Sequence, residues 1–252
     1  MALKNSWQSA TIFARRPHMT ASSARAPGQT SPLGFKSWAR EMAALAQCRM
    51  APPCYPTEAL PRASGQMVLV LPGFLTGDWA TERHRNFLRA RGFQVVASGL
   101  RFNPGPTRRV IADLEARLLR WSDRAGAPID LVGASLGGVF ARVMAQRHPE
   151  RVRRIVTLCS PIRFPVETSL APFVWALEPF HDPEFLGLRE EVQRNPQAPV
   201  TAVYSPKDGI VDWRSCLQDV DATHTNVMVE APHCIMGSVP AAQVITARAL
   251  LA

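Results

Sequence analysis

The stretch Gly133-Ala134-Ser135-Leu136-Gly137 fits the pattern G-x-S-x-G, in which a serine hydroxyl is lifted out of a sharp strand-to-helix turn to act as a nucleophile. The surroundings suit that geometry. The apolar run IDLV precedes the turn, and a helical pattern starts near Leu136. Glycines two residues before and two after the serine remove bulk where strand and helix must meet, and the helix N-terminus aims unpaired N–H groups at the reacting centre. A purely structural glycine turn would look the same over five residues. A phosphate-cradling loop would need Lys followed by Ser or Thr after the last glycine, whereas Gly138-Val139-Phe140 follow here.

A serine hydroxyl needs a base to take its proton, and the base needs an orienting carboxylate. Of six histidines, His18 lies in a basic N-terminal stretch, His84 and His148 fall in helical patterns, His181 lies in an irregular insertion and His224 precedes a strand. His233, in VMVEAPHCIMG, directly follows the last strand pattern and is the expected base. For the acid, SPKDGIVDW offers Asp208, in the first turn after a strand, and Asp212, which opens the next element and suits a helix cap. Asp208 is the first choice and Asp212 the alternative. The tetrahedral intermediate of such chemistry needs two N–H donors. They are expected from the backbone of Leu136 and of Phe74, the latter in LPGFLTGDW, where Gly73 permits close approach.

The elements that must hold these residues alternate between two patterns. Short apolar strands are expected at 67–71, 93–98, 129–134, 154–159, 200–205 and 226–231, with helical patterns between them and at the C-terminal end. Strands apolar on both faces, separated by amphipathic helices, make a mostly parallel sheet covered on both sides, an α/β fold. The rhythm breaks from Pro161 to Pro199, where Phe164, Phe173, Trp175, Phe180 and Phe185 stand among prolines. A long connection rich in aromatics reads as a lid at about 161–199, the plainer reading being an insertion packed down on the sheet. Two segments follow: an N-terminal extension, 1–66, with a basic tail, a helix around Phe35 to Gln47 and a Pro-rich link, and a catalytic domain, 67–252.

The formal charge of +9 belongs mostly to the extension, which carries eight Lys/Arg against two Glu, the remainder carrying 21 against 18. The 67–252 segment has no basic stripe interleaved with aromatics, so no nucleic-acid partner is expected. With no acidic residue before Glu41 and many Ala, Ser, Thr and Arg, the tail has the composition of an organelle transit peptide. An extension, or a start codon upstream of Met19, is the other reading, and a cytoplasmic enzyme is the default. Nothing approaches the ~18 consecutive apolar residues of a membrane span, so no stable membrane insertion is expected. The five scattered cysteines suggest unpaired thiols rather than a disulfide scaffold or zinc site.

The segments LVLPGF, GASLGG, YSPKDGIVDW and APHCIMG, in this order and spacing, resemble the α/β-hydrolase superfamily, in detail its bacterial esterase and lipase-like members. The resemblance covers about residues 67 to 252. It implies Ser135, Asp208 and His233 as a triad, Phe74 and Leu136 as oxyanion donors, a small-molecule or lipid-like ester substrate, no metal and no organic cofactor. GLRFNPGPT resembles the family's loop beside the active site. Many lipases carry His-Gly at the oxyanion loop where this chain has Pro72-Gly73, which removes a side-chain hydrogen bond that often steadies that loop. Thioester cleavage and acyl transfer to an alcohol use the same groups, and a binding protein of the same fold would lack a triad member.

Overall fold

A computed structural model describes residues 33–56, 60–187 and 189–252. Six strands, β1 (Met67–Leu71), β2 (Gln94–Ala97), β3 (Ile129–Ala134), β4 (Val152–Leu158), β5 (Val200–Tyr204) and β6 (His224–Met228), form one sheet in the order β2-β1-β3-β4-β5-β6. Every pairing is parallel. Parallel neighbours require crossovers; α2 (Glu82–Ala90), α3 (Arg108–Ala125) and α4 (Leu136–Arg147) supply those between β1 and β4, while α8 (Pro240–Leu251) follows β6.

The period-2 alternation of the strands divides the core into two layers. Leu69, Leu71 and Leu131 face α3 and α4, burying Val110, Leu114 and Leu118 with Val139 and Phe140. Val68, Val70 and Val132 point the other way, against Phe87 and Leu88 of α2 and Ala242, Val244 and Leu250 of α8. α3 shows how local sequence sets these elements. The Thr107 hydroxyl caps its start by accepting from the Val110 amide at 3.2 Å, and Gly126, at φ 62°, ends it in the left-handed conformation. Its buried positions, four residues apart, face the sheet.

The strands fall where the apolar runs predict them, with two shifts. The fourth runs 152–158, not 154–159. The last strand runs 224–228, not 226–231. Its ladder with β5 stops at Met228 because the Ser205 hydroxyl takes over beyond it, donating to the Ala231 carbonyl at 2.6 Å and accepting from the Ala231 amide at 3.1 Å.

The insertion between β4 and β5 carries three short helices, α5 (Ala171–Leu177), α6 (Pro183–Gly187) and α7 (Arg189–Gln193). Its aromatics divide between the two readings. Phe185 is buried edge-on against Phe140, ring centroids 5.4 Å apart, whereas Phe173, Trp175 and Phe180 are 49%, 71% and 68% exposed. Its far end is fastened by Arg142 of α4, fully buried, whose guanidinium donates to the Val192 and Arg194 carbonyls and to Gln218 Oε1.

Within the extension, α1 (Phe35–Met50) forms a helix that packs against the turn holding His233. The transit-like stretch and Met19 lie outside the described residues. Among the described residues no helix is long and apolar enough to cross a membrane.

Candidate active site

Parallel strands all end at the same edge, so the loops following β1, β3, β4, β5 and β6 converge there. At the end of β3, Ser135 sits at φ 51° and ψ −124°, a conformation that costs a non-glycine residue about 1–3 kcal/mol. The surrounding glycines are packed backbone to backbone. A Cβ on Gly133 would lie 2.3 Å from the Gly138 nitrogen, and one on Gly137 would lie 2.4 Å from the Leu71 carbonyl oxygen. No larger residue fits at either position. The Ser135 amide donates to the Leu158 carbonyl at 2.8 Å, fixing the turn to the neighbouring strand.

The loop after β1 crosses directly above this serine. A Cβ on Gly73 would come within 3.1 Å of Ser135 Cβ and 3.3 Å of the Ala134 carbonyl oxygen. Glycine there brings the backbone that carries the Phe74 amide beside Ser135, with Leu136 opening α4 below it. The Phe74 ring stands edge-on to His181 of the insertion, centroids 6.4 Å apart, and Leu136 packs partly buried on the core.

Asp208 and His233 meet directly. His233 Nδ1 lies 2.6 Å from Asp208 Oδ2, and Asp208 Oδ1 accepts from the Ile210 and Val211 amides at 2.8 and 2.9 Å. A carboxylate only accepts, so Nδ1 carries the proton and Nε2 is left as the basic nitrogen. Asp212 takes another part. Its carboxylate accepts from the Arg214 amide at 3.1 Å and caps the 3-10 turn Trp213–Cys216. Among the described residues the Ser135 hydroxyl makes no hydrogen bond of normal length, and such contacts commonly tighten only when substrate is bound.

Burial is the strongest influence on His233 and by itself lowers its pKa. The Asp208 charge and hydrogen bond, with a further push from the Glu41 charge, outweigh it, so the net shift is upward. The Cys159 thiol, after β4, lies with Asp208 and His233 in a group whose ligand atoms are all within 4.8 Å of one another. Such a trio has the donor types of a metal site, but burial, followed by the Asp208 charge, pushes the thiol pKa well up and keeps it protonated. The geometry is that of a hydrogen-bonded acid–base pair backed by a neutral thiol.

Three further groups of the site belong to none of the triad or oxyanion sequence motifs. Glu41, in α1, is 2% exposed. Its Oε1 accepts from the Gly209 amide at 2.7 Å and the His233 amide at 2.8 Å, and its Oε2 from the Cys234 amide at 2.9 Å. A signal existed, since Glu41 is an acid set at helical spacing among Trp38, Ala44 and Cys48. Asn103, in the FNPGPT segment, is fully buried. Its Nδ2 donates to the Pro72 carbonyl at 3.1 Å, its amide to the Thr76 carbonyl at 2.7 Å, and its own carbonyl accepts from Leu75 at 2.8 Å. With the Thr76 hydroxyl donating to the Gly73 carbonyl at 2.8 Å, Asn103 steadies the Pro72-Gly73 loop that lacks the histidine of many lipases. Cys159 is the third.

Comparison with known proteins agrees with this architecture. Residues 66–187 match the family model described as the alpha/beta hydrolase fold. A 51-residue stretch is 49% identical to a 2-hydroxymuconate semialdehyde hydrolase of Pseudomonas sp. (strain CF600), covering 20% of this chain and 18% of that protein. The chain thus spans about a fifth of the curated relative it matches. Among solved structures, lipase B of Aspergillus fumigatus superposes with a TM-score of 0.60 at 17% identity, over 94% of this chain and 63% of the other. A carboxylesterase of Bacillus subtilis does so with 0.54 at 15% identity, over 86% and 99%. The parallel sheet with helices around it, the serine turn after β3 and the match over residues 66–187 fit the α/β-hydrolase fold. The matched segment holds Gly73 and Ser135 but starts after Glu41 and ends before Asp208 and His233.

Proposed function

We propose that this protein is a serine hydrolase that cleaves a carboxylic ester through an acyl-Ser135 intermediate. The observation that carries the reading is the 2.6 Å contact between His233 Nδ1 and Asp208, at the same sheet edge as a serine in a strained turn beneath Gly73. His233 Nε2 takes the Ser135 proton as Oγ attacks the ester carbonyl, and Asp208 holds the imidazole in the required tautomer. The oxyanion of the tetrahedral intermediate is met by the Leu136 and Phe74 amides. Collapse breaks the bond to the alcohol, which leaves with the proton from His233. Water, deprotonated by His233, then releases the carboxylic acid and restores Ser135. The exposed Phe102, Phe173, Trp175 and Phe180 favour an apolar acyl or alcohol group.

A fluorophosphonate probe tests this directly. Wild type is expected to label at one site and to turn over p-nitrophenyl esters, with Ser135→Ala abolishing labelling and lowering kcat by about five to six orders of magnitude. Equal labelling of the two proteins would sink the proposal. Faster cleavage of acyl thioesters than of matched oxygen esters would move the substrate class but keep the residues. No turnover on any acyl compound by a labelled, folded protein would favour a binder.

A further inference from the structure

Glu41 stands outside the matched family segment and outside the triad, yet it touches both loops that deliver the triad's acid and base. Its carboxylate receives the amides of Gly209, next to Asp208, and of His233 and Cys234. The last two open the 3-10 turn His233–Ser238, whose first residues follow Pro232 with no side-chain cap of their own. Unpaired amides at such a start need an acceptor, and this one arrives from a helix almost two hundred residues earlier in the chain.

We propose that Glu41 is a positioning residue: carried by α1, its carboxylate ties the acid loop to the base loop and its negative charge keeps His233 competent as the base. The donor count explains why an acid stands there. Three N–H groups converge on two oxygens, so an amide at this position would offer one acceptor and set its own NH2 against a donor. A buried carboxylate is tolerated because three amide dipoles replace its water. The site leaves no slack on the other side: a Cβ on Gly209 would lie 2.9 Å from Glu41 Cγ and from the Ser37 carbonyl oxygen. The groups that face His233 are Asp208 from the β5 loop, Glu41 from α1, the protonated thiol of Cys159 from the β4 loop and Cys234 beside it, with His84 of α2 holding the Gly237 carbonyl at 2.7 Å. Of these, Asp208 and Glu41 favour the imidazolium, and burial opposes it.

The inference rests on the triad reading, so the test separates the two. Titrating the His233 ring by NMR needs no turnover, and probe labelling of wild type at Ser135 judges the triad reading alone. In Glu41→Gln the His233 midpoint is expected to fall by about one pH unit. The acid limb of the kcat/KM profile should move down with it. kcat should drop about tenfold or more, with KM within twofold, because misplaced catalytic groups cost rate rather than binding. Ala44→Gly, in the same helix, supplies the control: at a comparable loss of Tm it should leave the His233 midpoint in place. An unmoved midpoint in Glu41→Gln, or an equal shift in Ala44→Gly, overturns the proposal. If Glu41→Gln does not fold, Glu41→Asp keeps the charge but draws it back from the amides. It should lower kcat with little change in the midpoint, and unchanged kcat in that variant refutes the tie.

Discussion

The two ends of the sheet treat buried carboxylates differently. At the carboxyl end, Asp208 accepts two backbone amides and the His233 ring, and Glu41 accepts three backbone amides. At the amino end, Asp130 of β3 is equally inaccessible, but its partner is the partly exposed guanidinium of Arg153, and Asp130 Oδ1 has no hydrogen-bond partner. Backbone amides fixed by neighbouring turns hold a charge in place without reorganising, which is what a reaction centre requires. A side-chain partner on a flexible stem compensates charge but fixes no geometry. The carboxyl end is therefore built to keep its charges and their positions, and the amino end only to tolerate one.

The sharpest way to break that contrast is Asp208→Asn. The carboxamide can turn its NH2 toward Nδ1, which then carries no proton, and His233 is left in the wrong tautomer to accept from Ser135. An expected loss of about four orders of magnitude in kcat follows. Asp212→Asn, which alters a cap, should stay within about threefold. Steady-state kinetics on a reactive ester settles it, and the reverse pattern would reassign the acid.

Asn103 tests whether fixed backbone, rather than charge alone, matters at the carboxyl end. In Asn103→Ala the Pro72 carbonyl loses its donor and the Gly105 amide its acceptor, so the loop crossing Ser135 is freed. A drop of about a hundredfold in kcat with little change in KM is expected if the Phe74 amide serves the oxyanion. A rise in KM alone would show that the loop shapes binding instead.

How far these features could be read from the chain depends on how local their physics is. The strands and the serine turn are legible because apolar runs and glycines act on their immediate neighbours, and Gly133, Ser135 and Gly137 carry their constraint within five residues. That Asp208 and His233 come together is legible because parallel strands deliver their following loops to one edge. The place of Glu41 is not, since its partners Gly209, His233 and Cys234 come together only when α1 docks on the finished sheet. Asn103 was similarly hidden. The histidine that many lipases carry is missing at the loop itself, and the side chain that holds the Pro72 carbonyl comes from the next crossover. The limits of β6 depended on a side chain as well, the Ser205 hydroxyl, which no strand pattern registers.

The smallest effect on activity and the clearest on stability is expected at the amino end. Burial, only partly offset by Arg153 and Arg154, pushes the Asp130 pKa up to about 6. The folded protein therefore binds this proton more tightly than the unfolded chain. Stability should fall as pH rises from the ordinary carboxylate range to about 6 and level off above it, a change on the order of 3 kcal/mol. Asp130→Asn removes the charge but keeps an oxygen for Arg153, so its urea midpoint should lose that contribution to the slope between pH 4 and 6 while kcat stays at the wild-type value. A slope as steep as wild type would mean that Arg153 already holds Asp130 ionised throughout, and the two ends of the sheet would then differ in geometry but not in how well they carry charge.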